Sequence, residues 1–471
     1  MIIKQSKYET QDFKRKALPQ ERRHLKIPLS NIVIIAKIKG QITEEMLRSA
    51  ILKVEIKHPI IKVKSVLEPD GHLYFSSKNV PDIPIQIIPK ISEEQWKEVI
   101  KKEHQIPFDY EKGPLLRIIL LQAVQHSDLV IFCQHSISDG MSLAYLARDI
   151  VSFMAKPNQE IKRLVPRAYP SPDYVPSDVS AGIAMKIFGK KINKMWKSQK
   201  VEFDKKDYME LHKAFWNIHT YKILVSRLNE TQTLDLIKKC RKEDITVNTA
   251  ITTAFLAAQI EMHDSLPSYL EKLAVAVDER DRLINPVGEV VGFNASGLMV
   301  KHKYDTNKNF WENARSLHKI IQKQLKSRKD LQGILQTAMM DELMLEARPF
   351  AGFGYMVPQE SPSFEKINKF LSNSKNVVIK NIKKIAKKYE KIVFGSIITN
   401  LGRTDFPKEY ANLILDELLF VAAASPQCEL VLGIITHAGK LDIVINYFEE
   451  IVNTELIEQI AKKAIEKLKI L

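Results

Sequence analysis

The segment from Asp128 to Gly140, DLVIFCQHSISDG, constrains the fold of this chain more than any other. Leu129 to Cys133 form a short apolar run rich in β-branched and aromatic residues, which predicts a strand covered on both faces. Gly140 permits a tight turn, and Met141 to Met154 then carry apolar side chains at helical spacing. We therefore predict a strand-to-helix junction that presents His135 to a ligand from a rigid scaffold.

Strand and helix patterns alternate along the rest of the chain. Asn31 to Lys39 predicts a strand, and Thr43 is a predicted N-cap for a helix that begins at Glu44. In the second half, Tyr221 to Val225 predicts a strand, and the nearly all-apolar stretch from Thr246 to Met262 predicts an interior helix. This alternation is typical of the α/β class.

The length of 471 residues favours two domains of roughly 200 residues each over one core. Prolines cluster at positions 157, 166, 170, 172 and 176 in a segment without an apolar period, which indicates the beginning of a linker. We therefore predict an N-terminal half over 1–165, a Pro-rich linker with a basic helix over 166–214, and a C-terminal half over 215–471.

The predicted helix beside the linker, Val179 to Val201, contains six lysines and no acidic residue. Asp178 is its predicted N-cap, and Phe188, Met195 and Trp196 share one face of the helical wheel. One interpretation is a helix packed on its own protein with a solvated basic back. The other is a helix that docks on an anionic membrane surface, giving the protein a peripheral contact with lipid.

The formal net charge of +15 favours anionic partners, but a recognisable nucleic-acid-binding motif is absent, and we expect no nucleic acid partner. No stretch approaches the roughly 20 apolar residues of a membrane helix, and the first residues lack the apolar core of a signal peptide. We expect a cytoplasmic protein, with the peripheral membrane contact left open.

The three cysteines, Cys133, Cys240 and Cys428, are odd in number and far apart, which favours neither a disulfide framework nor a zinc site. We expect no metal. Cys133 follows an apolar run, so we interpret it as a buried structural thiol in preference to a nucleophile, which needs a polar and partly exposed setting.

Residues 134–140, QHSISDG, resemble the HHxxxDG motif of the acyltransferase superfamily that includes chloramphenicol acetyltransferase, peptide-synthetase condensation domains and phthiocerol dimycocerosyl transferases. Gln134 replaces the first histidine of the motif, and the second, the family's catalytic base, falls on His135. Three more segments look like family elements, and the likeness extends from about Ile32 to Tyr447. These segments are PFD with GPLLR at 107–117, VDERDRL at 277–283 and IITNLGR at 397–403.

This resemblance implies an α/β protein of two chloramphenicol-acetyltransferase-like domains, each a mixed sheet with helices, with a tunnel between them. It assigns His135 the role of general base in acyl transfer to the hydroxyl or amine of a small molecule or lipid. The acyl donor would be a thioester of coenzyme A or of the phosphopantetheine on a separate carrier protein, and no permanently bound cofactor is implied. It also implies a structural ion pair between Asp139, next to Gly140, and Arg280.

Acyl transfer needs a base for the acceptor's proton and a donor for the oxyanion, and one neutral histidine serves as base and then as acid. Asn400 is a candidate oxyanion or substrate contact, or else a turn residue before Gly402. Gln134 is a second candidate contact.

The same motif allows two other interpretations. A serine hydrolase that uses Ser136 or Ser138 is disfavoured because the chain lacks a GxSxG elbow. A catalytically inactive binding module on the condensation fold remains the main alternative, because Gln134 stands in place of a histidine.

Overall fold

The computed structural model describes residues 12–69, 71–164, 166, 174–263, 265, 267–389 and 392–470, with the side chains of 385–389 and 470 excepted. Strands and helices alternate along these ranges. The strands are β1 (Lys14–Lys16), β2 (Asn31–Lys39), β3 (Lys64–Leu67), β4 (Leu73–Ser76), β5 (Ile85–Pro89), β6 (Leu116–Gln122), β7 (His126–Gln134), β8 (Tyr221–Leu228), β9 (Lys272–Asp278), β10 (Ala295–Lys301), β11 (Phe394–Arg403), β12 (Glu409–Tyr410), β13 (Leu413–Val421), β14 (Cys428–His437) and β15 (Lys440–Phe448).

The helices lie between and after these strands. They are α1 (Pro19–Leu25), α2 (Glu44–Lys57), α3 (Gln95–His104), α4 (Gly140–Ala155), α5 (Ile183–Lys197), α6 (Lys205–Ile218), α7 (Glu230–Lys242), α8 (Val247–Met262), α9 (Phe310–Lys326), α10 (Lys329–Ala338), α11 (Glu342–Phe353), α12 (Phe364–Ser372), α13 (Val377–Tyr389) and α14 (Thr454–Ile470). Among the residues that the structure describes, no helix combines the length and apolar composition that crossing a membrane requires.

Two six-stranded mixed sheets form the two lobes of the protein. The first has the order β12-β13-β2-β7-β6-β5, with β5 parallel to β6 and the other pairs antiparallel. The second has the order β10-β9-β11-β14-β15-β8, in which β11 runs parallel to both β9 and β14. The predicted α/β fold with two mixed sheets and covering helices is therefore confirmed.

The predicted elements around the histidine junction are present. Strand β7 lies between β2 and β6, and its apolar residues are fully buried, as the unbroken run from Leu129 to Cys133 predicts. Thr43 caps α2 by accepting a hydrogen bond from the backbone N–H of Met46. Helix α8 is buried along nearly its whole length.

The two lobes do not follow the chain in a simple order. Strand β13, from the second half of the chain, pairs with β2 and completes the sheet of the first half. β13 also runs close against β14, where a Cβ on Gly433 would lie 2.2 Å from the carbonyl oxygen of Phe420. The predicted boundaries at 165 and 214 do not include this crossover, and residues 165 and 167–173 lie outside the described residues. A division into two halves joined by a linker stays a proposal.

The basic helix begins later than predicted. Asp178 is not its cap, because α5 begins at Ile183 after Gly182, and Asp178 instead pairs with Arg328 at 2.6 Å. The predicted apolar face is split between two environments. Trp196 is fully buried and donates a hydrogen bond to Asp341, whereas Phe188 is 45% exposed.

Candidate active site

His135 lies immediately after β7, at the point where the chain leaves the centre of the first sheet. Its backbone N–H donates to the carbonyl of Ser30 at 2.9 Å, which continues the pairing of β7 with β2. Its ring Nδ1 lies 2.7 Å from the carbonyl oxygen of Ser138. Because a carbonyl only accepts, Nδ1 carries the proton, and Nε2 keeps the lone pair that a general base needs.

The protonation state of His135 follows from its surroundings. Burial lowers the pKa of His135 below its ordinary 6.5, while the hydrogen bond to Ser138 and the charge of Asp139 oppose this shift. The positive charge of Arg23 lowers the pKa further. The imidazole is therefore neutral at neutral pH.

Asp139 and Arg280, the two residues that the resemblance pairs, are in contact. Nη2 of Arg280 lies 3.0 Å from both carboxylate oxygens of Asp139, and both side chains are almost fully buried. The carboxylate also caps α4 by accepting from the N–H of Ser142, and it accepts from the N–H of Asn294. Residues 135–139, between β7 and α4, form the histidine loop. Asp139 thus joins this loop and α4 to the second lobe without contacting the imidazole nitrogens.

The geometry of this pair is not a bidentate fork, in which two guanidinium nitrogens would each bind one carboxylate oxygen. A single nitrogen of Arg280 bridges both oxygens of Asp139, because the other, Nη1, lies 3.0 Å from Asp278. The Arg280 guanidinium therefore holds two carboxylates, one on each side of the interface between the lobes.

Gly140 is required for a reason other than a turn. Its φ lies outside the left-handed region, and it forms the first residue of α4. A Cβ at this position would lie 2.5 Å from Leu401 and 2.8 Å from Phe420. The glycine therefore allows strands β11 and β13 to pack against the start of the helix, and the prediction of a turn residue was wrong.

A cavity of about 670 Å³ lies between the lobes and contains His135 in its wall. The wall is largely apolar, with side chains such as Val275, Leu298 and Phe420. Asp139, Arg280 and Asn400 also line it. Such a concave, mostly apolar site with a few convergent polar groups is typical of a small-molecule binding site.

The two candidate contacts behave differently. Asn400 lines the cavity, accepts a hydrogen bond from the N–H of Gly402 and donates to Asn248 at 3.3 Å. Its Nδ2 has a second hydrogen, so a role toward substrate stays a proposal. Gln134 does not line the cavity within the described residues.

The predicted substrate contact of Gln134 is replaced by a structural one. Its buried side chain donates to the carbonyls of His24 and Leu25 at the end of α1, and it accepts from the N–H of Ser136. Both ends of the amide are occupied, so Gln134 ties α1 to the histidine loop.

Three residues of the site, His24, Phe293 and Asn294, were not predicted as functional from the sequence. The ring of His24, on α1, lies 4.8 Å from that of His135, and Phe293 lies 5.0 Å from both rings. Asn294 lines the same cavity, and its side-chain Nδ2 has no hydrogen-bond partner among the described residues. The short α1 lacks a motif, and the segment around Phe293 and Asn294, residues 288–296, GEVVGFNAS, marks neither residue as functional.

The alternative nucleophiles fit the site poorly. Ser138 meets His135 through its backbone carbonyl, and its hydroxyl donates to the carbonyl of Asp139. Cys133 is fully buried, and burial raises the pKa of its thiol, so the thiolate that nucleophilic chemistry needs is disfavoured.

Comparisons with known proteins agree with this architecture. The family model described as Condensation domain matches residues 28–263, and that of the phthiocerol/phthiodiolone dimycocerosyl transferase C-terminus matches residues 222–351. Comparison with curated protein sequences gives no match.

Solved structures share the fold across nearly the whole chain at low sequence identity. TRI3 trichothecene 15-O-acetyltransferase from Fusarium sporotrichioides is 11% identical, with a TM-score of 0.64 and coverage of 99% of this chain and 96% of that one. Polyketide synthase associated protein 5 from Mycobacterium tuberculosis is 13% identical, with a TM-score of 0.56 and coverage of 96% and 97%. The starter condensation domain of rhizomide synthetase RzmA, solved with C8-CoA, is 11% identical, with a TM-score of 0.52 and coverage of 94% and 90%.

These structures establish the fold alone, whereas the condensation domain model covers slightly more than half of the residues. The chain therefore belongs to the condensation domain family, whose fold it shares with solved acyltransferases.

Proposed function

We propose that the protein transfers an acyl group from a coenzyme A or carrier-protein thioester to a hydroxyl or amine, with His135 as the general base. The observation that carries this proposal is the hydrogen bond from His135 Nδ1 to the Ser138 carbonyl, which leaves Nε2 as the basic nitrogen in the cavity wall. The coenzyme A complex of a structural neighbour supports a thioester donor of this kind.

The proposed reaction needs no covalent enzyme intermediate. Nε2 of His135 takes the proton of the acceptor as its oxygen or nitrogen attacks the thioester carbonyl carbon. The tetrahedral intermediate then expels the thiolate, which receives the same proton from the imidazolium. Asn400 and Asn294 are the proposed amide donors for the oxyanion, since both line the cavity. Asp139, Gly140 and Arg280 hold the histidine loop in register and are positioning residues.

The test is a thioester-release assay over acyl-CoAs of several chain lengths, with pooled alcohols and amines as acceptors. Replacing the base in His135→Ala should lower turnover by roughly a hundredfold or more, on the order of a lost general base. His437→Ala is the matched control, since that buried histidine lies outside the cavity. Turnover of His135→Ala within a few-fold of the wild type would refute the mechanism.

The inactive binding module remains the alternative because the first histidine of the motif is Gln134. Two observations favour the enzyme over the binding module. Gln134 has a structural role, because it links α1 to the histidine loop, and His24 places a second imidazole next to His135. A binding module predicts no thioester turnover by the wild type with any donor in the panel.

We also propose that the exposed face of α5 rests on an anionic membrane, which would bring lipid acceptors to the cavity. Ile183 and Ile187 are 79% and 63% exposed, and with Phe188 they form an apolar patch flanked by exposed lysines. Met185 of the same helix lines the cavity. Helix α13 packs beside α5 and adds exposed Lys380, Lys383 and Lys384. Each such lysine adds ~1 kcal/mol of attraction to an anionic surface.

Vesicle co-sedimentation tests this contact. Binding should require anionic lipid, weaken with salt, and fall in an Ile187→Ser and Phe188→Ser double variant. Ile91→Ser is the control, because that side chain is 84% exposed on the separate segment between β5 and α3. If binding at low salt is absent, or if the control loses as much as the double variant, α5 is a scaffold helix and the acceptor is soluble.

A further inference from the structure

Two arginines face the cavity without acidic partners. Arg23 lies on α1 and Arg348 on α11, and both line the cavity that contains His135. Among the described residues, the only polar side-chain contact of Arg23 is a long one of 3.5 Å to His24, and Arg348 has none. Arg23 is half-buried, and a half-buried guanidinium in a folded protein ordinarily has a carboxylate or several carbonyls as partners, whereas Arg348 is exposed.

The acidic residues in the cavity wall do not supply these partners. Asp139 and Asp278 are both bound to Arg280, and Asp330 is bound to Arg282 at 2.5 Å. The carboxylates behind α1 are also occupied, because Glu342 and Glu346 of α11 pair with Arg22 and Lys26. Within the described residues, Arg23 and Arg348 are therefore the cavity's uncompensated positive charges.

The two arginines act on each other. Burial and, to a smaller extent, the positive charge of Arg348 together lower the pKa of Arg23 to about 10. Arg348 is exposed, but the surrounding protein desolvates it enough to lower its pKa as well. Repulsion between two like charges destabilises the folded protein. An anionic ligand bound between the two guanidinium groups would reduce this repulsion.

A third polar group lies beside them. Gln20 is one helical turn before Arg23, so both side chains lie on the same face of α1, together with His24. Gln20 lines the cavity, and its Oε1 is buried without a hydrogen-bond partner among the described residues. Because Oε1 only accepts, this unsatisfied atom indicates a place for a hydrogen-bond donor that is not part of the chain.

We infer that Arg23 and Arg348 form a binding site, within the cavity, for an anionic group of the substrate, a carboxylate or a phosphate. The planar guanidinium matches either group with two parallel hydrogen bonds. The inference rests on the proposed function for its assignment of the anion to a substrate. The anion could belong to an acceptor with a carboxylate or to the phosphates of the thioester donor.

Isothermal titration calorimetry tests this inference because it measures binding without turnover. Its outcome therefore does not depend on whether the proposed acyl transfer function is correct. The probes are decanoate, its uncharged counterpart 1-decanol, and coenzyme A. The variants are Arg23→Gln and Arg348→Gln, with Arg48→Gln as the control that loses the same charge on the exposed surface of α2. Because neither cavity arginine has an acidic partner, neutralising either one leaves no unpaired buried carboxylate, and both variants should fold.

If the anion belongs to an acceptor with a carboxylate, the wild type should bind decanoate more tightly than 1-decanol. In each cavity variant the ratio of these two affinities should fall by about tenfold. For the donor's phosphates, the cavity variants should instead bind coenzyme A about tenfold more weakly while the decanoate preference stays within threefold. Arg48→Gln should match the wild type in both arms. The inference is overturned if both cavity variants bind all three probes within threefold of the wild type, or if Arg48→Gln loses as much as they do.

Discussion

The Asp139–Arg280 contact gives a prediction whose size follows from its surroundings. Asp139→Asn keeps the shape of the side chain and removes its charge. The Asn amide would direct an N–H₂ group toward one of the donors that the carboxylate now satisfies, from Arg280, Ser142 and Asn294. Removing one partner of a buried pair costs roughly 3 to 5 kcal/mol, because the other charge is left uncompensated.

The structure puts Asp139→Asn at the lower end of that range. Arg280 keeps Asp278 and the hydroxyl of Ser142, at 3.0 Å and 2.7 Å, so its charge is only partly uncompensated. We therefore expect a loss of about 3 kcal/mol. For a lobe of this size, each kcal/mol lowers the melting temperature by roughly 2 to 4 °C, which predicts a fall of roughly 6 to 12 °C.

Differential scanning calorimetry of three variants measures this effect. Asp405→Asn is the matched control, because its ion pair with Arg403 is exposed on both sides and should change the melting temperature little. The double variant Asp139→Asn with Arg280→Met removes both charges and should recover part of the loss. A melting temperature of Asp139→Asn within 2 °C of the wild type would show that the pair does not hold the lobes together.

Two further predictions concern the histidine and the start of α4. Since the base must be neutral and burial lowers the pKa of His135 below 6.5, kcat/KM should be flat above about pH 6.5 and decrease only at lower pH; a plateau that begins above pH 7 would contradict this assignment. Gly140→Ala should destabilise the protein by about 1 to 3 kcal/mol in denaturant unfolding, because the new methyl group overlaps Leu401 and Phe420. Gly333→Ala, in the middle of α10 with no atom within 4 Å of the added Cβ, should instead leave stability unchanged or raise it by up to ~1 kcal/mol.

The parts of the fold that could be predicted from the sequence depend on local patterns. The apolar run from Leu129 to Cys133 and the helical period after Gly140 are properties of neighbouring residues, so the strand, the junction and α4 were predicted correctly. The contact between Asp139 and Arg280 spans 141 positions and came from the family resemblance, since no local pattern pairs two such distant residues.

The parts that could not be predicted depend on long-range packing. His24 and Arg23 lie on a seven-residue helix without a motif, and only the packing of α1 against the histidine loop brings them to the cavity. Asp178 fits the composition of an N-cap, but its pairing with Arg328 and the start of α5 after Gly182 are set by tertiary contacts. The contact of Arg280 with two carboxylates likewise depends on the position of Asp278 at the end of β9.

The pairing of β13 with β2 has a consequence for synthesis on the ribosome. Leu413 follows Lys39 by 374 residues, so β2 is made long before the strand that covers its edge. At roughly 5 to 20 residues per second, about 20 to 75 seconds pass between the two. During that interval the nascent chain exposes the open edge of a strand with six apolar residues among its nine, which is a template for unwanted pairing with other chains. We therefore expect folding yield in cells to depend on a chaperone that protects this edge, and translation stalled before Leu413 to leave an aggregation-prone product.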